Sequence, residues 1–318
     1  MDRNITLDIL KLLMAFMVVG IHAEIFKDIN LALSYFTAYG LFRIAVPVFL
    51  VISGFYFYQT LANAKTLLWF KRALLLYFFW MLIYSPFWFH PTELSLKEII
   101  KVFAHLLVGY YHLWYVAGMI GAALILVFVR NLNSISLIFI VAITFLTGVI
   151  IQYAGNYHVF GNATLDKIAN IIFVHRNALF MSFPFFCIGF LIHKHNIHTN
   201  ISYKTAIILT LAGILLLSGE VYLNYVAPGR EGGFDNFFFL LLLCPALFIL
   251  FMHINIVSNT KNIALYATAI YFIHPLFQIT LKDLFTSNET IFTIVIILLS
   301  AVMSYCLIII NKRAKFIL

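Results

Sequence analysis

The chain alternates long apolar runs with short polar stretches, and the runs have the length that crossing a membrane demands. About 20 apolar-dominated residues in a helix span roughly 30 Å of hydrocarbon. Ten runs meet that length: 5–26, 36–59, 69–89, 112–129, 135–153, 175–193, 203–223, 236–254, 262–281 and 290–310. The second contains Pro47 and Gly54 and the sixth Pro184, so both are expected to be interrupted where neighbouring helices satisfy the freed backbone groups. Residues 90–111 differ. There Glu93, Lys97, Glu98 and Lys101 mix with Leu94, Leu96, Ile99, Ile100 and Val102, which fits an amphipathic helix lying in the interface. The pattern predicts an all-α, polytopic integral membrane protein with about ten transmembrane helices, organised as a single domain over 1–318. No internal repeat is visible, although an inverted repeat need not leave a sequence signal.

Composition agrees and sets the orientation. The chain is 64% hydrophobic and 10% charged, with a mean hydropathy of +1.01, whereas a soluble domain is roughly half apolar and a quarter charged. A formal net charge of +8 would suit nucleic acid, but the basic residues are spread between the apolar runs, as loop charges that orient a membrane protein are. The partner implied is the lipid bilayer, not nucleic acid. With the N-terminus in the cytoplasm, eleven Lys and Arg fall in cytoplasmic segments and seven in outer ones, while Lys11 and Arg43 lie within helices. That bias predicts both termini inside and a multi-pass protein of the cytoplasmic (inner or plasma) membrane. Asp2 and Arg3 lead straight into the first run, and no small-residue cleavage site follows, so this helix is expected to remain as a signal anchor. Cys187, Cys244 and Cys306 each sit inside an apolar run without a CxxC, so neither a disulfide framework nor a metal site is expected.

Two polar residues make the first run unusual. Lys11 and His22 are eleven positions apart, close to three turns at about 100° per residue, so they share a face with Asp8, Ala15 and Val18. A cation and an imidazole on one face of a spanning helix are costly and point to function. His22 lies roughly 25 Å above Ile5 and Lys11 only about 9 Å, at the α-helical rise. On the predicted orientation, Arg43 falls in the outer third of the second helix and His274 in the upper half of the ninth. His112 and Trp114 open the fourth helix, Arg176 opens the sixth, and Glu220 ends the seventh on that same side. Glu24 follows His22 but is expected to point to nearly the opposite face. Singly, His112, Arg176 or Glu220 equally fits an interfacial residue reaching water or a polar contact between helices. Arg43, embedded among apolar residues, calls for a partner or ligand, and Glu24 or Glu220 would serve as its counter-charge. On the inner side, Trp69-Phe70-Lys71-Arg72 fits either positive-inside anchoring with an aromatic belt or binding of a phosphate-rich ligand.

Several short motifs share a pattern with one family. Lys11, ten residues, then His22 is one; Phe42-Arg43-Ile44-Ala45-Val46-Pro47-Val48-Phe49 followed by Ile52-Ser53-Gly54-Phe55 is another; His112-Leu113-Trp114-Tyr115 and Tyr271-Phe272-Ile273-His274-Pro275 complete the set. Over its whole length the chain resembles the membrane-bound acyltransferase-3 family, whose members include surface-polysaccharide O-acetyltransferases. It departs from the Arg-x-x-Arg that many members carry on the third helix, since Leu74 and Leu75 stand three residues after Lys71 and Arg72. The second-helix wording and Arg176-Asn177 are also similar to the membrane half of vancomycin-resistance serine racemases. No racemase domain follows the tenth run, so racemisation by that route is not expected.

The resemblance implies acetyl-CoA as a cytoplasmic acyl donor and an outward acceptor hydroxyl on a glycan or lipid-linked saccharide. It implies His22 as general base or transient acyl carrier, Arg43 as oxyanion stabiliser or acceptor guide with Glu24 beside it, and Lys11, Lys71 and Arg72 at the donor phosphates. His112, Trp114, Arg176, Glu220 and His274 are then acceptor-side candidates. Ser53 reads as structural, because with Gly54 it permits close helix contact and no G-x-S-x-G elbow surrounds it. Ten spans, broken helices and buried charges also suit a transporter or permease for a small polar solute. A non-catalytic scaffold is disfavoured by the joint presence of Lys11 and His22.

Overall fold

A computed structural model describes residues 3–90, 95–227, 233–258, 260 and 262–318; the expectations involving Asp2, Glu93, Leu94, Arg230, Lys261 and the side chains of Arg3 and Lys97 lie outside the described residues. The described chain is an all-α bundle with one two-residue antiparallel bridge, Arg3–Asn4 to Val257–Ser258. Its longer helices are α1 (Thr6–His22), α2 (Ala45–Ala62), α3 (Thr66–Ile83), α4 (Leu96–Val108), α5 (Trp114–Val129), α6 (Ser134–Asn156), α7 (Phe183–Lys194), α8 (Tyr203–Val226), α9 (Leu240–His253), α10 (Asn262–Leu281) and α11 (Glu289–Asn311).

Of the ten predicted spans, seven are long and apolar enough to cross a membrane among the described residues. The other three are short. α1 has 17 residues, α9 has 14, and α7 has 12 behind a five-residue π turn, Ala178–Ser182. α7 is buried along most of its length. A helix surrounded by protein has no hydrocarbon thickness to match, so it can be short. The chain is a multi-pass membrane protein built around these inner helices.

The second predicted span needs correction. It is broken, but at Gly40, between the short helix Leu31–Thr37 and a 3-10 turn over Leu41–Ile44 that leads into α2. A Cβ at Gly40 would stand 2.7 Å from the Phe36 carbonyl oxygen and 2.9 Å from Val221. Pro47 does not interrupt α2. It is the third residue, where the backbone N–H would have no intrahelical partner anyway. Gly54 does not break the helix either. It lets α2 meet α7 backbone to backbone: a Cβ there would overlap the Phe186 carbonyl oxygen, and one at Gly189 of α7 would overlap that of Val51. Small residues at such crossings are how membrane helices approach closely.

α1 packs against α10, α2, α9 and α11, and α8 pairs with α9. α4 is an amphipathic helix as expected. Ser95 caps it by accepting from the Glu98 N–H at 3.3 Å, and Leu96, Ile99, Ile100, Phe103 and Leu107 are exposed along it. The Tyr77 hydroxyl donates to the Leu106 carbonyl at 2.9 Å and ties α4 to α3. Both ends of the described chain lie at the Lys11 end of the bundle, since Phe316 and Leu318 share a cavity with Lys11.

Candidate active site

Three histidines from three elements meet near the end of α1. His22 is the last residue of α1. His274 lies in α10 just before Pro275, and His112 sits in the 3-10 turn Tyr111–Leu113 that opens α5. The His22 and His274 rings are 5.5 Å apart by centroid, as are those of His112 and His274. His274 is fully buried, and its Nδ1 lies 3.1 Å from the Ile270 carbonyl. A carbonyl only accepts, so Nδ1 carries the proton and Nε2 keeps its lone pair. That Nε2 has no hydrogen-bonding partner among the described residues.

His22 is held from two sides. The Gln278 amide donates to the His22 backbone carbonyl and accepts from the Tyr111 hydroxyl at 3.0 Å. The Tyr111 ring lies 4.7 Å from the His22 ring, centroid to centroid, tilted by 36°. Tyr111 has φ 51°, a left-handed conformation rare for a bulky side chain.

His22, Tyr111 and Gln278 border a cavity of about 940 Å³. Its floor also holds Arg43, Arg176 and Asp235. Asp235 receives Arg43 on one oxygen and Arg176, at 3.1 Å, on the other. Burial would raise the Asp235 carboxyl, but Arg176 and Arg43 outweigh it and hold it at about 2. Two guanidiniums thus share one carboxylate, which leaves the floor with one net positive charge beside His22. The Arg176 guanidinium lies 4.5 Å from the Trp114 ring centroid, a cation–π contact.

At the other end of α1, Lys11 borders a second cavity of about 580 Å³ with Tyr56, Trp69, Arg72 and Lys315. A narrower space of about 190 Å³ shares Lys11, Ser53, Leu76 and Met119 with it and runs on to Tyr115 and Tyr271. The Tyr271 ring is 5.4 Å from the His112 ring, and its hydroxyl donates to the His112 carbonyl at 2.7 Å. One layer of aromatic and imidazole rings therefore separates the Lys11 cavity from the His22 cavity.

The predicted site residues sort by position. His22, Glu24, Arg43 and Arg176 border the upper cavity. Lys11 and Arg72 border the lower one. His112 and His274 lie between them, and Trp114 backs Arg176. Helical periodicity places Glu24 on the face opposite His22, but α1 ends at His22 and Glu24 turns back with φ 53° to border the same cavity. Hydrogen bonds from Lys27 and Tyr39 overcome the upward push of burial and hold its carboxyl below the ordinary range. Arg43 lies in the 3-10 turn, not inside a helix, and its counter-charge is Asp235 rather than Glu24 or Glu220. Glu220 instead accepts from the Tyr153 hydroxyl at 2.6 Å and from the backbone N–H groups of Phe238 and Phe239 at 2.8 and 3.1 Å, just before α9 begins. Lys71 borders neither cavity; it is exposed beside Arg72. Among the described residues no group of three or more His, Cys, Asp or Glu is arranged to hold a metal ion.

Sequence reasoning misses four site residues: Asp235, Gln278, Tyr111 and Lys315. Gln278 has a signal, since it lies four residues after His274 on the same helical face. Asp235, in a loop before α9, has none without knowledge of which loops meet.

No solved structure matches the chain. An amino-acid racemase of Enterococcus faecalis is 23% identical over 290 residues, covering 85% of this chain and 40% of the relative. A serine/alanine racemase of Enterococcus gallinarum is 26% identical over 302 residues, covering 86% and 40%. The chain thus spans about 40% of the length of these curated relatives. The acyltransferase-3 family model, described as an acyltransferase domain, matches residues 4–310, and the chain belongs to that family of membrane acyltransferases.

Proposed function

We propose that the protein moves an acetyl group from cytoplasmic acetyl-CoA to a hydroxyl of an extracytoplasmic or lipid-linked glycan, in the cytoplasmic membrane, with the Lys11 end of the bundle inside. The observation that carries the reading is the pair of cavities at opposite ends of α1, one bordered by cations and the other by an imidazole and a guanidinium pair. Lys11 and Arg72 take the phosphates of the donor. Its slender arm follows the narrow space past Ser53 and Tyr115 toward Tyr271, and the rings of that layer part to let the thioester reach His22.

In the upper cavity His22 acts as general base. It removes the proton of the acceptor hydroxyl as that oxygen bonds to the thioester carbonyl carbon. The net positive charge of the Arg43–Asp235–Arg176 group stabilises the oxyanion, an effect of order 3 kcal/mol for a single well-placed donor. The C–S bond then breaks, and the CoA thiolate takes the proton from His22. General base catalysis of this kind is typically worth 10²–10⁴-fold. The racemase activity of the relatives is not carried over, because the match covers 40% of their length and the family model on this stretch is an acyltransferase domain.

The test is transfer of labelled acetyl from acetyl-CoA in membranes holding wild type or His22→Ala at equal abundance. The reading expects transfer in the wild type and a loss of at least a hundredfold in the variant. Full activity in the variant overturns the role of His22. Solute uptake without acetyl transfer in the wild type overturns the reading in favour of a permease.

A further inference from the structure

The segment after α11 turns back into the bundle. The Trp80 indole N–H donates to the Ile317 carbonyl at 3.0 Å, Ile317 is 4% exposed, and Phe316 lies edge-on to Phe79 at 5.7 Å. Trp80 in turn stacks flat on Phe272, with centroids 5.0 Å apart and planes within 7°. The tail is thus pinned to α3 and, through it, to α10 two residues before His274.

This pinning brings Lys315 to the wall of the lower cavity. Three cations from three elements border that cavity: Lys11 from α1, Arg72 from α3 and Lys315 from the tail. No acidic residue among those described borders it. Neither Arg72 nor Lys315 has an acidic partner among the described residues. Arg72 and Lys315, two like charges at one cavity, repel unless an anion joins them. Trp69 adds a flat aromatic ring at the same wall. Lys71, adjacent to Arg72, points about 100° away around the helix and takes no part.

We propose that Lys315 is a donor-binding residue that shares a phosphate of the acyl donor with Arg72, so that the C-terminal tail completes a phosphate site which α3 supplies only in half. The proposal rests on the acetyl-CoA reading above. It also gives the fold a reason to return the tail into the bundle: the buried Ile317 and its bond to Trp80 hold Lys315 at the wall of the cavity that Arg72 also borders.

The experiment is acetyl-CoA kinetics of the full chain in vesicles of zwitterionic lipid, for wild type, Lys315→Ala and Lys315→Arg, with 3′,5′-ADP as a competing phosphate probe. Loss of one charge-assisted hydrogen bond is expected to raise KM for acetyl-CoA about tenfold in Lys315→Ala at unchanged kcat. Inhibition by the probe weakens by the same factor, and Lys315→Arg restores both. An unchanged KM in Lys315→Ala beside a normal, saturable wild type overturns the proposal. A wild type with no saturable dependence on acetyl-CoA overturns instead the donor reading beneath it. If Lys315→Ala changes behaviour only when anionic lipid is added, the anion is a lipid headgroup and the proposal fails.

Discussion

Asp235 pairs with Arg43 across 192 residues of chain, and the same carboxylate holds Arg176 at 3.1 Å. One acid therefore sets the positions of two cations beside His22. Breaking a buried pair by neutralising one partner typically costs about 3–5 kcal/mol, because the remaining charges lose their compensation. Asp235→Asn is expected to lower both thermal stability in detergent and acetyl transfer. The pH dependence has a definite sign. The carboxyl is held at about 2 in the folded protein against an ordinary 3.8, so its contribution is fully present above about pH 4 and is lost as pH falls through 2. That contribution is about 2 kcal/mol. A melting series of wild type against Asp235→Asn should converge as pH is taken from 4 toward 2; parallel curves would show that the ion pair does not hold the floor together.

Glu220 is expected to matter for stability and not for chemistry. Its carboxylate satisfies two backbone N–H groups ahead of α9 and the Tyr153 hydroxyl. Glu220→Leu strips a partner from each, at a cost of about 3 kcal/mol for the set. The melting temperature should fall while kcat per folded molecule stays near the wild-type value. A selective drop in kcat at unchanged melting temperature would return Glu220 to the acceptor side.

The contrast between these two acids shows what sequence can carry. Helix existence is legible because each long apolar run has one stable solution in lipid. The shared face of Lys11 and His22 is legible because helical periodicity is local. That periodicity misplaces Glu24 because it stops where the helix does, and nothing in the residues after His22 announces the turn at φ 53°. The partner of Arg43 is not legible at all. Asp235 sits in a loop, and which loops converge is decided by helix packing, including the glycine contact between α2 and α7.

That glycine contact makes a sharp prediction of its own. A Cβ on Gly54 or Gly189 would overlap a carbonyl oxygen of the facing helix, so the backbones must part. Gly54→Ala and Gly189→Ala should each cost about 3 kcal/mol or more, the upper end of overpacking effects. Gly219 is the control, because a methyl group placed there meets nothing within 4 Å. Gly219→Ala should not lower abundance or melting temperature, since Ala is the better helix former where there is room for it.

Tyr111 and Gln278 should tune His22 without touching the donor. Gln278 links the Tyr111 hydroxyl to the backbone carbonyl that ends α1, and Tyr111 holds its ring against the His22 ring at the cost of a left-handed backbone. Strain of this kind costs of order 1–3 kcal/mol and persists only where the surroundings enforce it. Tyr111→Phe keeps the ring and loses one hydrogen bond, worth about 1 kcal/mol, so kcat should fall no more than about tenfold. Gln278→Leu frees both the hydroxyl and the carbonyl, and the imidazole loses its fixed orientation. A fall in kcat of about a hundredfold is expected there, with KM for acetyl-CoA unchanged, since misplacing a catalytic group by about 1 Å has that effect. Steady-state kinetics on both variants decide the matter. A rise in KM for acetyl-CoA at constant kcat would mean that these residues shape the donor path instead of aiming the base.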